Sequence, residues 1–231
     1  VWSKDPFKLT VEGDKLYGRG TTDCLGHVAL LTGLLVELGK AKPKLKRSII
    51  VVFISAEEGA EMGVGVDMVV KHGKLEDAKN GPVFWVDSSD SQPCIGCCGA
   101  MSWSIKCKGR LIHSGFPFKG INSIELAQYA MNEIQDRFYE DFPPAPEELK
   151  YRFSCGSSMK PTQITCAKGS FNQICPETTV TGDIRVSPFY DVEAVAAKVE
   201  SYIKDINDSM RLLEGKGPYS KFALPDDVTT M

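Results

Sequence analysis

Apolar residues between Leu25 and Leu38 recur at 25, 28, 31, 35 and 38. That is the helical period, so the spacing predicts an amphipathic helix, with Gly39 and then Pro43 as its stop signals. Ser48 to Ile54 is different: Ile49-Ile50-Val51-Val52-Phe53-Ile54 is a continuous apolar run. Such a run predicts a strand buried on both faces, as in a parallel sheet. Residues 64–72 read as a short helix, and Val83-Phe84-Trp85-Val86 as a second buried strand. Helix, strand, helix, strand is the order of an α/β domain.

The texture changes near residue 100. Ser102 to Cys107 alternates polar and apolar, the mark of a strand with one solvated face. Residues 122–138 carry a second amphipathic helix, 162–168 and 178–186 read as strands, and Asp191 is placed to cap a long helix reaching about Arg211. Strand, helix, strand, strand, helix describes an α+β sandwich with one sheet face open. The expected organisation is therefore residues 1–99 as part of an α/β domain, 100–217 as an inserted α+β sandwich, and 218–231 as a segment returning towards the first domain.

Composition narrows the function. With 27 basic and 30 acidic residues among 231, the chain carries a net charge of −3, which argues against a general nucleic-acid binder needing a basic surface. Its apolar runs fall far short of the roughly 20 residues that span a bilayer, so no membrane partner is expected. Eight cysteines accompany a length that can bury a core without staples, pointing to free thiols in a reducing compartment; the expected location is the cytoplasm, with an organelle as the alternative. Cys94, Cys97 and Cys98 have no second pair at finger spacing. Histidine occurs only at 27, 72 and 113, so a metal site built from this chain must rely on carboxylates.

Those carboxylates are placed suggestively. Asp23 closes the glycine-rich loop Gly18-Arg19-Gly20-Thr21-Thr22 at a helix start, Glu57 and Glu58 follow the first apolar run, and Asp87 follows the second. In open α/β sheets ligands bind beyond the carboxyl ends of the strands. Carboxylates gathered there repel unless cations neutralise them. Adjacent residues leaving a strand point in opposite directions, so Glu57 and Glu58 can divide their work between a water and a metal. Taken singly, each acid also fits a loop or helix-cap role, and Asp23 suits a helix start through the dipole alone. His27 reads as a helix-packing residue and His72 as a surface residue at a helix end.

Five segments carry a family resemblance. Gly18-Arg19-Gly20-Thr21-Thr22-Asp23-Cys24-Leu25-Gly26, Ser55-Ala56-Glu57-Glu58, Gly109-Arg110-Leu111-Ile112-His113-Ser114-Gly115-Phe116-Pro117, Asn172-Gln173-Ile174-Cys175-Pro176 and Asp183-Ile184-Arg185 resemble, in order, motifs of the dinuclear-metal aminoacylase, acetylornithine deacetylase and succinyl-diaminopimelate desuccinylase family. Met159-Lys160-Pro161-Thr162 and the segment from Ser187 to Val192 are similar to its eukaryotic, plant-type branch. The resemblance implies an α/β metallohydrolase domain with a lid that dimerises, two divalent ions (zinc or cobalt), and a homodimer. It also implies roles. Asp23 would bridge the metals, with Glu58 and Asp87 as ligands of one metal each. Glu57 would be the general base, and His113 would reach the partner subunit's site. Asn172 and Arg185 would hold substrate, the arginine by pairing with its carboxylate. The implied reaction is hydrolysis of an N-acyl amino acid, N-acetylornithine first, to the amino acid and acetate.

The chain departs from the family in lacking an upstream H-x-D motif and a distant downstream ligand histidine, so it is expected to be an internal fragment, inactive alone. Cys24 stands where methionine is common, and Ser88-Ser89 follows Asp87 where Pro-Thr is common in bacterial members. A metal-poor binding or dimerisation module and a dipeptidase of the same fold remain open alternatives.

Overall fold

The computed structural model describes residues 2–57, 63–87, 93–94, 96–217 and 219–224. The chain divides into two compact units between Cys94 and Ile95.

In the first unit a hairpin joins β1 (Thr10–Glu12) to β2 (Lys15–Tyr17), with Glu12 opposite Lys15 across a two-residue turn. The glycine loop leads into α1 (Leu25–Ala41). This helix runs through Gly39, which weakens a helix without ending it, and stops two residues short of Pro43, whose ring disfavours helical geometry just before it. Lys42 takes a left-handed conformation and its N–H bonds the Leu38 carbonyl. A one-and-a-half-turn helix, α2 (Val66–Lys71), and a single 3-10 turn at Glu76–Ala78 follow.

The two apolar runs correct the sequence expectation. Residues 48–54 and 83–86 form no ladder among the described residues, so the parallel sheet predicted from them is absent there. Val83, Phe84 and Trp85 are 79%, 83% and 63% exposed, and Ile49, Ile50 and Phe53 about half exposed. A strand buried on both faces exists only where neighbours bond its edges and helices cover it. The described part of this unit supplies no strand that bonds either run, so β propensity alone does not make a ladder there.

The second unit follows its reading in order, with two corrections: a short helix forms at Pro146–Lys150 where the sequence predicts a loop, and the strand expected over 162–168 runs over Ser158–Cys166. β3 (Gly99–Lys108), α3 (Ser123–Asp141), a short α4 (Pro146–Lys150), β4 (Ser158–Cys166), β5 (Glu177–Val186) and α5 (Val192–Ser209) follow in order. The sheet is antiparallel in the order β3-β5-β4. Met101, Trp103, Ile105 and Cys107 of β3 alternate inward with Val180, Ile184 and Val186 of β5. They pack beneath Leu126, Ala130, Ile134 and Phe138 of α3 and Val195, Tyr202 and Ile206 of α5. Both helices start on side-chain caps: Asn122 Oδ1 accepts from Ile124 N at 3.1 Å and Asp191 Oδ1 from Ala194 N at 2.8 Å. The register slips between Pro161 and Gln163 opposite Gly182. A Cβ at Gly182 would lie 2.0 Å from the Lys160 carbonyl oxygen and 2.6 Å from the Trp103 ring. Only glycine lets the bulged strand and the indole both approach β5 so closely.

The other sheet face is polar. Ser102, Ser104, Lys106, Thr179, Thr181, Asp183 and Arg185 alternate onto it, with Lys106 paired to Glu177 at 2.8 Å. At the base of the helices the Tyr202 hydroxyl donates to Asp141 Oδ2 and the Arg137 guanidinium lies 4.3 Å over the Tyr202 ring.

Candidate metal centre and lid edge

Asp23 sits at the end of the glycine loop because that loop folds back onto the first turn of α1. Gly26 N donates to Gly20 O at 3.2 Å, and Thr21 Oγ1 to Gly18 O at 2.9 Å. A Cβ at Gly26 would meet the Thr21 carbonyl oxygen at 2.4 Å, so the loop closes this tightly only over a glycine. The Asp23–Cys24 peptide is cis. Asp87 comes from the distant end of the second apolar run. Yet Asp23, Cys24 and Asp87 bring one donor atom each within 4.8 Å of one another. Two carboxylates and a thiol at that spacing fit a divalent cation: carboxylate suits hard and borderline ions, and a thiol biases the set towards zinc and its softer neighbours.

The structure thus brings Asp23 and Asp87 together. Glu57 is exposed and stands outside this three-donor group, and Glu58 lies outside the described residues. Cys24 is the member that sequence reasoning passed over as a tolerated replacement. Its position directly after Asp23 at the helix start was the signal. His27 is half-buried on the first turn of α1, as a packing residue would be, with Nδ1 buried and without a hydrogen-bond partner. His72 is exposed at the end of α2.

In the second unit two loops pair beyond the sheet. Gly109 N donates to Pro176 O at 2.7 Å, Ile174 N to Ile112 O at 2.9 Å and Ser114 N to Asn172 O at 2.8 Å, and His113 bridges Gln173. His113 and Asn172 therefore share one exposed edge. The His113 ring lies 6.0 Å from Phe116, and Phe171, beside Asn172, is fully exposed. Arg185 is not part of this edge. It pairs with Ala100 and Ser158 at the far end of β5, where Nε donates to Asp183 Oδ2 at 2.7 Å. The strand between Glu177 and Arg185 spans roughly 27 Å, so within this unit the arginine stands well apart from His113 and Asn172.

Residues 95–211 match the peptidase dimerisation domain. The α+β unit with its uncovered polar sheet face is that domain, and the chain belongs to this family of M20 peptidase relatives. Among curated proteins the chain is 54% identical to an acetylornithine deacetylase of Dictyostelium discoideum, over 97% of this chain and 51% of that one. It is 52% identical to an acetylornithine deacetylase of Arabidopsis thaliana, over 98% and 52% respectively. The chain spans about half the length of these relatives. Among solved structures, human carnosine dipeptidase 1 aligns with a TM-score of 0.56 at 19% identity, covering 96% of this chain and 57% of that one, which establishes likeness of fold. The family read from the five motifs stands, and so does the branch read from residues 159–162 and 187–192.

Proposed function

We propose that the protein carrying this chain is a metal-dependent amidohydrolase that removes the acetyl group from N-acetylornithine. The observation that carries the reading is the convergence of Asp23 and Asp87 from two distant segments on one set of donor atoms. The substrate is supported by the relatives above, which are acetylornithine deacetylases. Membership of a peptidase family supports divalent metals in general. Two ions, zinc or cobalt, are our finer reading, with Asp23 shared and Glu58 and Asp87 holding one ion each.

Bound there, divalent metals polarise an amide carbonyl and acidify a water. Glu57 takes the proton of the attacking water and returns it to the leaving amine, the work of a carboxylate beside the reacting centre. His113 faces the oxygen on which negative charge develops. Asn172 orients the acyl amino acid, and Arg185 pairs with its carboxylate through a bidentate fork. Arg185 stands well apart from His113 within one lid, which supports our reading that the two serve different sites of a homodimer formed through the dimerisation domain.

Assay of the intact protein on N-acetylornithine, before and after chelation and zinc replacement, tests the reading. Turnover lost on chelation and restored by zinc supports it. Turnover that survives chelation, or a preference for an unacylated dipeptide, defeats it. The second outcome would favour the dipeptidase alternative that the carnosine dipeptidase fold keeps open.

A further inference from the structure

His113 is followed by a tight turn. Phe116 N donates to His113 O at 2.9 Å, which closes residues 113–116 into four-residue turn geometry with Gly115 third. Within that turn Gly115 N donates to His113 Nδ1 at 3.0 Å. A backbone N–H can bond a ring nitrogen only through a lone pair, so Nδ1 carries no proton and a neutral ring carries it on Nε2. The backbone of His113 is fixed from the other side by its bridge to Gln173.

The residue type at 115 matters as much as its N–H. A Cβ there would lie 3.1 Å from His113 Nδ1 and 3.5 Å from Cε1. Any side chain at 115 would crowd the ring that the N–H must approach, so glycine is the residue that permits the bond without displacing the imidazole.

We propose that Gly115 is a positioning residue that locks His113 in the Nε2–H tautomer, so that the exposed ring offers a hydrogen-bond donor to a substrate oxygen and neither a base nor a metal ligand. An accepting Nε2 would require the proton on Nδ1, and that would break the Gly115 bond. The chemistry that fits is a carbonyl or oxyanion, as the tetrahedral stage of amide cleavage presents. The consequence for substrate rests on the reading of His113 as a substrate-facing residue; the tautomer itself does not.

The test is nitrogen-15 spectroscopy of the histidine-labelled chain at a pH where the rings are neutral. His113 is identified by loss of its signals in His113→Gln, against a background of only two other histidines. The wild-type ring gives a protonated Nε2 and a bare Nδ1 without averaging. Gly115→Pro, which has no N–H, gives signals averaged between tautomers. Gly115→Ala, which keeps the N–H, retains the Nε2–H form with a displaced Nδ1 shift, and covers the case in which the proline variant fails to fold. A wild-type ring that averages, or that is protonated at Nδ1, overturns the lock, as does a Gly115→Pro spectrum identical to wild type. In the intact protein, loss of an oxyanion donor costs about 10²–10³-fold in kcat. His113→Ala, which leaves no donor, is expected to show that loss, and Gly115→Pro a smaller fall in kcat with KM little changed. A locked ring with undiminished His113→Ala turnover would overturn the substrate-facing role alone.

Discussion

The two units of the chain spend their hydrophobic residues in opposite ways. In α3, a helix of 19 residues, seven side chains are buried, whereas α1, with 17, buries none. The second unit closes a core around Ile134, Phe138, Met159, Val186 and Tyr202, all fully buried. The first leaves Leu30, Val83, Phe84 and Trp85 largely open. Yet it is this first unit, with the least packing of its own, that holds the carboxylate pair. The comparison teaches that donor atoms from a glycine loop, a helix start and the end of a distant apolar run lie within 4.8 Å of one another in a unit whose long helix buries no side chain. The lid edge, by contrast, is carried on a unit that packs by itself.

The largest expected effect concerns the chemistry of the first unit. Glu57→Gln in the intact protein keeps metal binding by calorimetry and lowers turnover on N-acetylornithine by about 10²–10⁴-fold. Near-normal turnover would remove Glu57 from the reaction.

Next comes stability, where the units should part. Phe138→Ala in the second unit costs about 3–5 kcal/mol, read by denaturant unfolding followed through Trp103 in the same core. Leu30→Ala on the open face of α1 changes stability by no more than about 0.5 kcal/mol. Equal losses would mean that α1 is covered in solution.

Cys24→Ser gives a smaller, selective change. It lowers cadmium affinity by about tenfold or more while manganese affinity moves little, because a thiolate donor counts for soft ions and a hydroxyl does not replace it. Parallel loss for both ions would indicate a disturbed loop and no thiolate ligation.

The smallest effect is a pH slope in the second unit. The Tyr202 hydroxyl, and after it Lys198, hold the Asp141 carboxyl below its ordinary range. A depressed carboxyl stabilises the fold above the unfolded value near pH 4, and that stability is lost as pH falls through the lower folded value. Burial of the ring, and after it the same bond, push Tyr202 upward, so its contribution is full below the unfolded value near pH 10 and is lost as pH rises through the higher folded value. Tyr202→Phe should flatten both limbs in melts of the chain across pH, and an unchanged acid limb would dissociate Asp141 from Tyr202.

Legibility in the sequence followed packing. Where a segment finds its partners nearby in the chain, as β3, β5 and α5 do, alternation and helical period gave element and face correctly, down to Asp191 as a cap. Residues 48–54 and 83–86 have the composition of buried strands, but composition cannot supply the neighbours a ladder needs. Gly39 misled because a helix end depends on the following residues as well as on propensity, and Pro43 decided it. At the site, Asp23 and Asp87 were legible from their positions after a glycine loop and an apolar run. Cys24 was not, because the sequence alone does not say which way its thiol turns. The partnership of Gly115 with His113 was equally hidden, since it lies in a single backbone N–H.

The ladder between residues 109–114 and 172–176 ties the identities of two distant loops to their lengths. Side chains along such a pair alternate from one face to the other, so one inserted residue between Gly109 and His113 would turn the imidazole to the opposite side of its strand. Exposed positions of these loops can change their side chains, whereas Gly109, where a Cβ would meet the Ile121 carbonyl oxygen at 2.2 Å, and the buried Ile174 cannot do so freely, and insertions and deletions need the facing loop to change by the same count. Variation at this edge should therefore be substitutional, with the spacing from Gly109 to His113 acting as a ruler against Asn172.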